Sequence, residues 1–144
     1  MEENDTISLL KECSAGTKMA IRSMEQVMES VNNSQFRQIL NRYCAQHKDM
    51  EKKVDDLLLE KGKTGKEPGF MARTMAKMDT ELKLTLNPTD AEVADIMTEG
   101  CNMGIKSVSR YLNQYESASG ESRRIAQNLI CVEERFLEEL RQFL

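Results

Sequence analysis

A near-repeat of one short segment strongly constrains what this chain can fold into. Cys, Gly, Lys and Arg recur at the same spacing in residues 13–22 and in residues 101–110. A second long helical stretch follows each copy, at residues 34–61 and 121–144. Two related helical hairpins within 144 residues predict an all-α, pseudo-symmetric four-helix bundle.

Apolar residues in four segments recur at steps of three or four, which is the spacing of a helix with one buried face. The second segment keeps a strict 3.5-residue repeat, as in bundles with coiled-coil-like packing. The predicted inward residues are Leu9, Cys13, Gly16, Ala20, Met24, Val27 and Val31, then Phe36, Leu40, Tyr43, His47, Met50, Val54 and Leu57, then Val93 or Ala94, Met97, Cys101, Gly104, Val108, Leu112 and Tyr115, and finally Ile125, Leu129, Val132, Phe136, Leu140 and Phe143.

The lengths of the connections predict how the helices are joined within one domain, residues 1–144. Short turns near Ser34 and at Ser117–Gly120 make two hairpins, over residues 5–62 and 88–144. The crossover, residues 63–87, is long and has the pattern of a short fifth helix from Gly69 to Leu86, striped with methionine. Two antiparallel hairpins joined by one long crossover form the ferritin-like topology.

Several segments also resemble a known family. They are Leu9–Gly16 at the start of the first helix, Met71–Met78 leading into residues 90–97, and Gly100–Gly104 in the second hairpin. The chain resembles an uncharacterised bacterial family of ferritin-like domains, a domain of unknown function. The resemblance implies a ferritin-like fold and is uninformative about activity.

The ligands of a ferritin-like di-metal centre are missing from the sequence. Such a centre takes an inward Glu from two helices and a Glu-x-x-His from each of the other two. The chain has a single histidine, His47, and Cys44 stands three residues before it where the pattern needs Glu. The first and third helices offer no inward carboxylate. We therefore predict no catalytic residues, no metal ligands and no cofactor.

His47 has two interpretations. In the first it is a neutral core residue, packed on the last helix near Val132 and Phe136, so that His47→Phe retains or raises stability. In the second it shares one Zn or Fe ion with Cys44 and Glu51, which lie on the same helical face. Glu134 or Cys131 of the last helix would complete that ion's ligands.

The glycines and cysteines follow the same pseudo-symmetry. Gly16 and Gly104 at matched positions predict a tight crossing of the first and third helices, with Cys13 facing Cys101. Each long helix carries one cysteine, and no Cys-x-x-Cys pair occurs. Buried, reduced thiols and an acidic N-terminus without a signal pattern favour a cytoplasmic protein.

Composition excludes two classes of partner. The net charge is −4, and Lys and Arg are mixed with Asp and Glu along every helix, so no nucleic-acid surface is predicted. No apolar run approaches the ~20 residues that span a bilayer.

These observations favour a non-enzymatic helical bundle that acts through protein association. A homodimer is expected, because a long bundle can bury an outer apolar face on a symmetric partner. The candidate outer residues are Leu58, Leu59, Ile130 and Leu144. The alternative is a metal-binding or thiol-redox protein that uses Cys44 and His47.

Overall fold

The computed structural model describes residues 1–66 and 88–144, and these two ranges contain four long α-helices and no strand. The predicted all-helical fold is therefore confirmed. The helices are α1 (Glu2–Met28), α2 (Ser34–Glu60), α3 (Asp90–Gln114) and α4 (Gly120–Leu140), and a 3-10 helix follows at Arg141–Phe143. The predicted fifth helix at residues 69–86 lies outside the described residues.

Short polar side chains begin three of the helices. Asn33 accepts a hydrogen bond from the Phe36 N–H at 3.0 Å, at the turn predicted near Ser34. Thr89 accepts from the Glu92 N–H at 3.1 Å, and the spacing Thr-x-x-Glu is that of a capping box. Ser119 accepts from the Ser122 N–H at 3.2 Å at the predicted turn. In each case the cap satisfies an N–H group that has no partner within the helix.

The start of α1 and the end of α2 can be compared with the predicted first hairpin, residues 5–62. The helix α1 already begins at Glu2, three residues before the predicted start. At the end of α2, Gly62 has a φ of 69°, a left-handed conformation that only glycine adopts at no steric cost. The predicted stop at Gly62 is therefore confirmed.

Hydrogen bonds between the hairpins fix the direction of the helices. The Asp90 carboxylate at the start of α3 accepts from the backbone N–H groups of Asn32 and Asn33, both at 2.9 Å. At the opposite end, Asp5 accepts from the Ser117 N–H at 3.0 Å. Hence α3 begins where α1 ends, and α2 and α3 run in the same direction.

The described core consists of two apolar clusters, one toward each end of the bundle. One cluster contains Met24, Val27, Phe36 and Leu40 with the first half of α3 and the end of α4. The other contains Leu9, Leu10, Val54 and Leu58 with the second half of α3 and the start of α4. Most predicted inward residues lie in these clusters. His47 lies at the level between the two.

Two neighbouring pairs of residues, one on α2 and one on α4, depart from the predicted faces. Leu58, predicted to point outward, is fully buried, and the predicted inward Leu57 is only half-buried. On α4, Val132 is half-buried and its neighbour Glu133 is buried. The helix faces are therefore rotated by one residue from the most apolar stripe at these two places.

The predicted tight contact between Gly16 and Gly104 is not what the structure shows. A Cβ added at Gly16 would meet a Leu129 methyl at 4.0 Å, and one added at Gly104 would meet Glu133 at 3.7 Å, both on α4. Cys13 and Cys101 also belong to different core clusters. Small residues at these positions leave space beside α4.

Candidate functional site

The central polar feature of the described interior is a pair formed by His47 on α2 and Glu133 on α4. His47 is 0% exposed and Glu133 is 7% exposed. The Nε2 atom of His47 hydrogen-bonds Oε1 of Glu133, and Nδ1 donates to the Tyr43 carbonyl at 2.6 Å. The pair joins the first hairpin to the second at mid-height.

The backbone contact determines which nitrogen faces Glu133. The Tyr43 carbonyl can only accept, so Nδ1 carries a proton and Nε2 shares a second proton with Glu133. Burial disfavours the charged imidazole, but the hydrogen bond to Glu133, its negative charge and the Tyr43 carbonyl outweigh burial and raise the pKa of His47. The raised pKa favours the imidazolium form of His47 beside the Glu133 side chain.

The surroundings of Glu133 extend this pair to α3. Burial first, and then the charge and hydrogen bond of Glu133, raise the pKa of the Cys101 thiol. Cys101 therefore stays protonated and can donate its S–H to the carboxylate. Gly104, one turn later, leaves the side chain of Glu133 unobstructed, with its Oε2 atom 3.7 Å from where a Cβ would lie.

A second set of contacts between α2 and α4 holds the pair in register. The Tyr43 hydroxyl donates to Glu139, which also pairs with Arg42. The rings of Tyr43 and Phe136 stack with centroids 4.6 Å apart. Burial, and then the hydrogen bond to Glu139, raise the pKa of Tyr43 to about 12. Phe136, one of the predicted neighbours of His47, thus packs on Tyr43.

The structure does not assemble the alternative metal set predicted around Cys44, His47 and Glu51. Burial raises the pKa of Cys44, Glu51 pairs with Lys18 at 3.8 Å, and both ring nitrogens of His47 are engaged. On α4, Cys131 and Glu134 are exposed. Across residues 1–66 and 88–144, no three His, Cys, Asp or Glu side chains are grouped so that they could hold a metal ion.

Sequence reasoning missed Glu133 as the partner of His47. The apolar stripe predicted for α4 runs through Val132. The same spacing of three and four is also kept by Leu129, Glu133, Phe136 and Leu140. A search for a charged residue at an inward position, opposite the single histidine, could have found it. The predicted burial of His47 against the last helix is what the structure shows.

A cavity adjoins the pair between α1, α3 and α4. The volume that the centre of a water-sized molecule can reach inside it is about 40 Å³, and the cavity is partly open to solvent. Small residues form much of its walls, and Leu129 and Glu133 line it from α4. The lining residues are Glu12, Gly16, Ala20, Gly104, Ser107, Val108, Tyr111, Leu129 and Glu133. The glycines thus border an opening, where the sequence predicted a tight helix crossing.

Fold and site together define an all-α helical bundle with a hydrogen-bonded histidine–glutamate pair in its interior. The chain belongs to the family described as Domain of unknown function (DUF2383), whose model matches residues 5–114. His47 lies within the matched range and Glu133 lies beyond it. Comparison with curated proteins and comparison with solved structures each returned no significant match. Within the described ranges, no helix is apolar enough over a sufficient length to cross a membrane.

Proposed function

We propose that this chain is a ferritin-like four-helix bundle that works through protein association and not through catalysis. The observation that carries this proposal is the engagement of His47 within the fold. Its Nδ1 donates to the Tyr43 carbonyl and its Nε2 meets Glu133, so neither nitrogen is directed at a substrate or a metal. The pair is a hydrogen-bonded contact that joins the two hairpins.

The directions of the helices support the ferritin-like part of the proposal. The helices α2 and α3 run in the same direction. The residues on either side of the crossover, Lys66 and Pro88, lie toward opposite ends of the bundle. Lys66 pairs with Glu12 in the first half of α1, while Pro88 precedes α3 beside the turn after α1. A crystal structure that traces residues 67–87 tests this topology. A path that leaves the bundle and returns from a second copy would contradict it.

Exposed apolar side chains support association. Leu59 at the end of α2 is 67% exposed, and Leu144 at the end of the chain is 57% exposed. Ile130 on α4 is half-buried, whereas Leu58 is buried and is not available to a partner. We assign a homodimer contact to Leu59, Ile130 and Leu144. Leu59 and Leu144 lie toward opposite ends of the bundle, so this contact runs along the length of the helices. Covering exposed leucine is favourable by about 25 cal/mol per Å² of apolar surface.

Sedimentation velocity on the tag-free protein tests the dimer. The wild type should sediment as a dimer at micromolar concentration, and Leu59→Glu, Ile130→Glu or Leu144→Glu should shift it toward the 16.5 kDa monomer. Gln142→Glu is the matched control, since it adds the same charge at an exposed polar position. A wild type that is monomeric throughout would contradict association as a homodimer.

Elemental analysis of protein purified without a histidine tag distinguishes the metal-binding or thiol-redox alternative from our proposal. Stoichiometric Zn or Fe that is lost in His47→Phe would favour it over our proposal. The bacterial origin implied by the resemblance and the cytoplasmic location expected from the cysteines and the N-terminus also belong to the proposal. All four cysteines are free, as expected of a reducing compartment.

A further inference from the structure

The cavity between α1, α3 and α4 has a distinct chemistry. Its walls are mostly apolar, because Gly16 and Ala20 on α1 face Gly104 and Val108 on α3 above Leu129. Glycines at two wall positions cost helix stability, about 1 kcal/mol each relative to alanine. Neither is needed for close packing, since an added Cβ would make only ordinary van der Waals contacts, at 4.0 Å and 3.7 Å. The two glycines therefore contribute by leaving the cavity open.

One buried polar group lies at this space. Glu133 is 7% exposed, and its Oε1 atom meets His47. Its other oxygen, Oε2, lies on the side of Gly104, at the wall of the cavity. A carboxylate oxygen in an apolar recess is a strong hydrogen-bond acceptor. The weak S–H donor of Cys101 also contacts this carboxylate, but a carboxylate oxygen has two lone pairs, so an acceptor site remains for a molecule that offers one donor.

The charges of the cavity restrict that molecule further. The charged residues of its described lining are both paired, Glu12 with Lys66 and Glu133 with His47, so an anion would lose its water without gaining a free counter-charge. An ammonium group would have to lose its water and would compete with the imidazolium of His47 for the same carboxylate. An uncharged donor meets neither obstacle.

We propose that this cavity binds a small uncharged molecule, with one hydroxyl group on an apolar body of a few carbon atoms. The hydroxyl donates to Oε2 of Glu133, and the apolar body lies against Leu129 and the two glycines. Apolar pockets with one or two placed polar groups are the common form of small-ligand sites. This site is independent of the association proposed above.

Three probes of one shape test the proposal: isobutanol, isobutyrate and isobutylamine. Each is titrated into 15N-labelled full-length protein while the amide resonances of Gly16 and Gly104 are followed. We expect saturable shifts at both glycines with isobutanol and none with isobutyrate or isobutylamine. Equal shifts with all three probes, or no saturable shift with isobutanol, would overturn the proposal.

Glycine variants supply the control for the site. In Gly16→Ala/Gly104→Ala, two methyl groups occupy ligand space, and the affinity for isobutanol should fall by about tenfold or more. Gly100→Ala makes the same exchange in α3, at a position where an added Cβ would meet no atom within 4 Å. This variant should bind isobutanol as the wild type does. Unchanged affinity in the double variant would overturn the assignment. The assignment would also be overturned if the amide resonances of Gly16 and Gly104 shifted with protein concentration alone, because a second copy of the protein would then occupy the cavity.

Discussion

The Nε2 atom of His47 and the Oε1 atom of Glu133 meet across the bundle although 86 residues separate them in the chain. They lie at the level between the two apolar clusters, so the polar contact interrupts the described core at its middle. A buried ion pair gives little net stability, but breaking it by removing one partner is costly. Its value here lies in fixing which residue of α2 faces which residue of α4.

The variant His47→Phe should lower the free energy of unfolding by about 3 kcal/mol, because it leaves the Glu133 carboxylate buried without its partner. The buried contact with Glu133 thus leads us to the opposite of the expectation from the sequence, that the change retains or raises stability. Urea denaturation of His47→Phe, Glu133→Leu and the double variant gives the measurement.

The double variant His47→Phe/Glu133→Leu should recover most of the loss, because two apolar side chains replace a pair that was mutually satisfied. Additive losses in the double variant would show that the two residues do not act as a pair. Glu134→Leu is the control, since it removes a carboxylate from an exposed neighbouring position of α4.

Stability should fall as the pH rises through the raised pKa of His47. Since the folded protein holds the imidazolium proton more tightly than the unfolded chain, the pair contributes fully below the ordinary histidine pKa of about 6.5. That contribution is lost on deprotonation of the folded state. Denaturant midpoints measured from about pH 6 to about pH 9 check this. The free energy of unfolding of the wild type minus that of the double variant should fall over this range, and a rise would contradict the assignment.

The four cysteines should differ sharply in reactivity. Cys131 is exposed, whereas Cys13, Cys44 and Cys101 are buried, and burial raises the pKa of each of the three, that of Cys13 to about 12. Because the thiolate is the reactive form, one thiol should be modified rapidly by a maleimide and three only on unfolding. Mass spectrometry of the native protein counts the adducts. Cys131→Ser should abolish the rapid phase, and rapid loss of a second thiol would contradict the described burial.

Asp90→Ala should destabilise the protein by about 1–3 kcal/mol. Its carboxylate accepts two backbone hydrogen bonds, from Asn32 and Asn33, and also lies in the first turn of α3, where negative charge is favourable. Thermal unfolding measures the loss. Asp95→Ala, at an exposed position of the same helix, is the matched control and should change stability little. Equal effects of the two substitutions would show that the contacts of Asp90 to the turn contribute nothing.

The sequence predicted the helices well and the interior site only in part. Periodicity and capping residues act locally, so the helix limits near Thr89 and Ser119 followed from neighbouring residues. The pairing of His47 with Glu133 depends on the rotation of α4 by one residue, and a stripe drawn through Val132 hides that rotation. The open space at Gly16 and Gly104 depends on where α4 lies, which spacing within α1 and α3 does not specify.

The hydrogen bond from the Ser117 N–H to Asp5 joins positions 112 residues apart. During synthesis the first hairpin therefore leaves the ribosome long before the groups that secure its outer end. The start of α1 therefore lacks this contact until residue 117 has been made. A delay in the synthesis of α3 and α4 would lengthen the interval in which α1 is without its partners in the second hairpin.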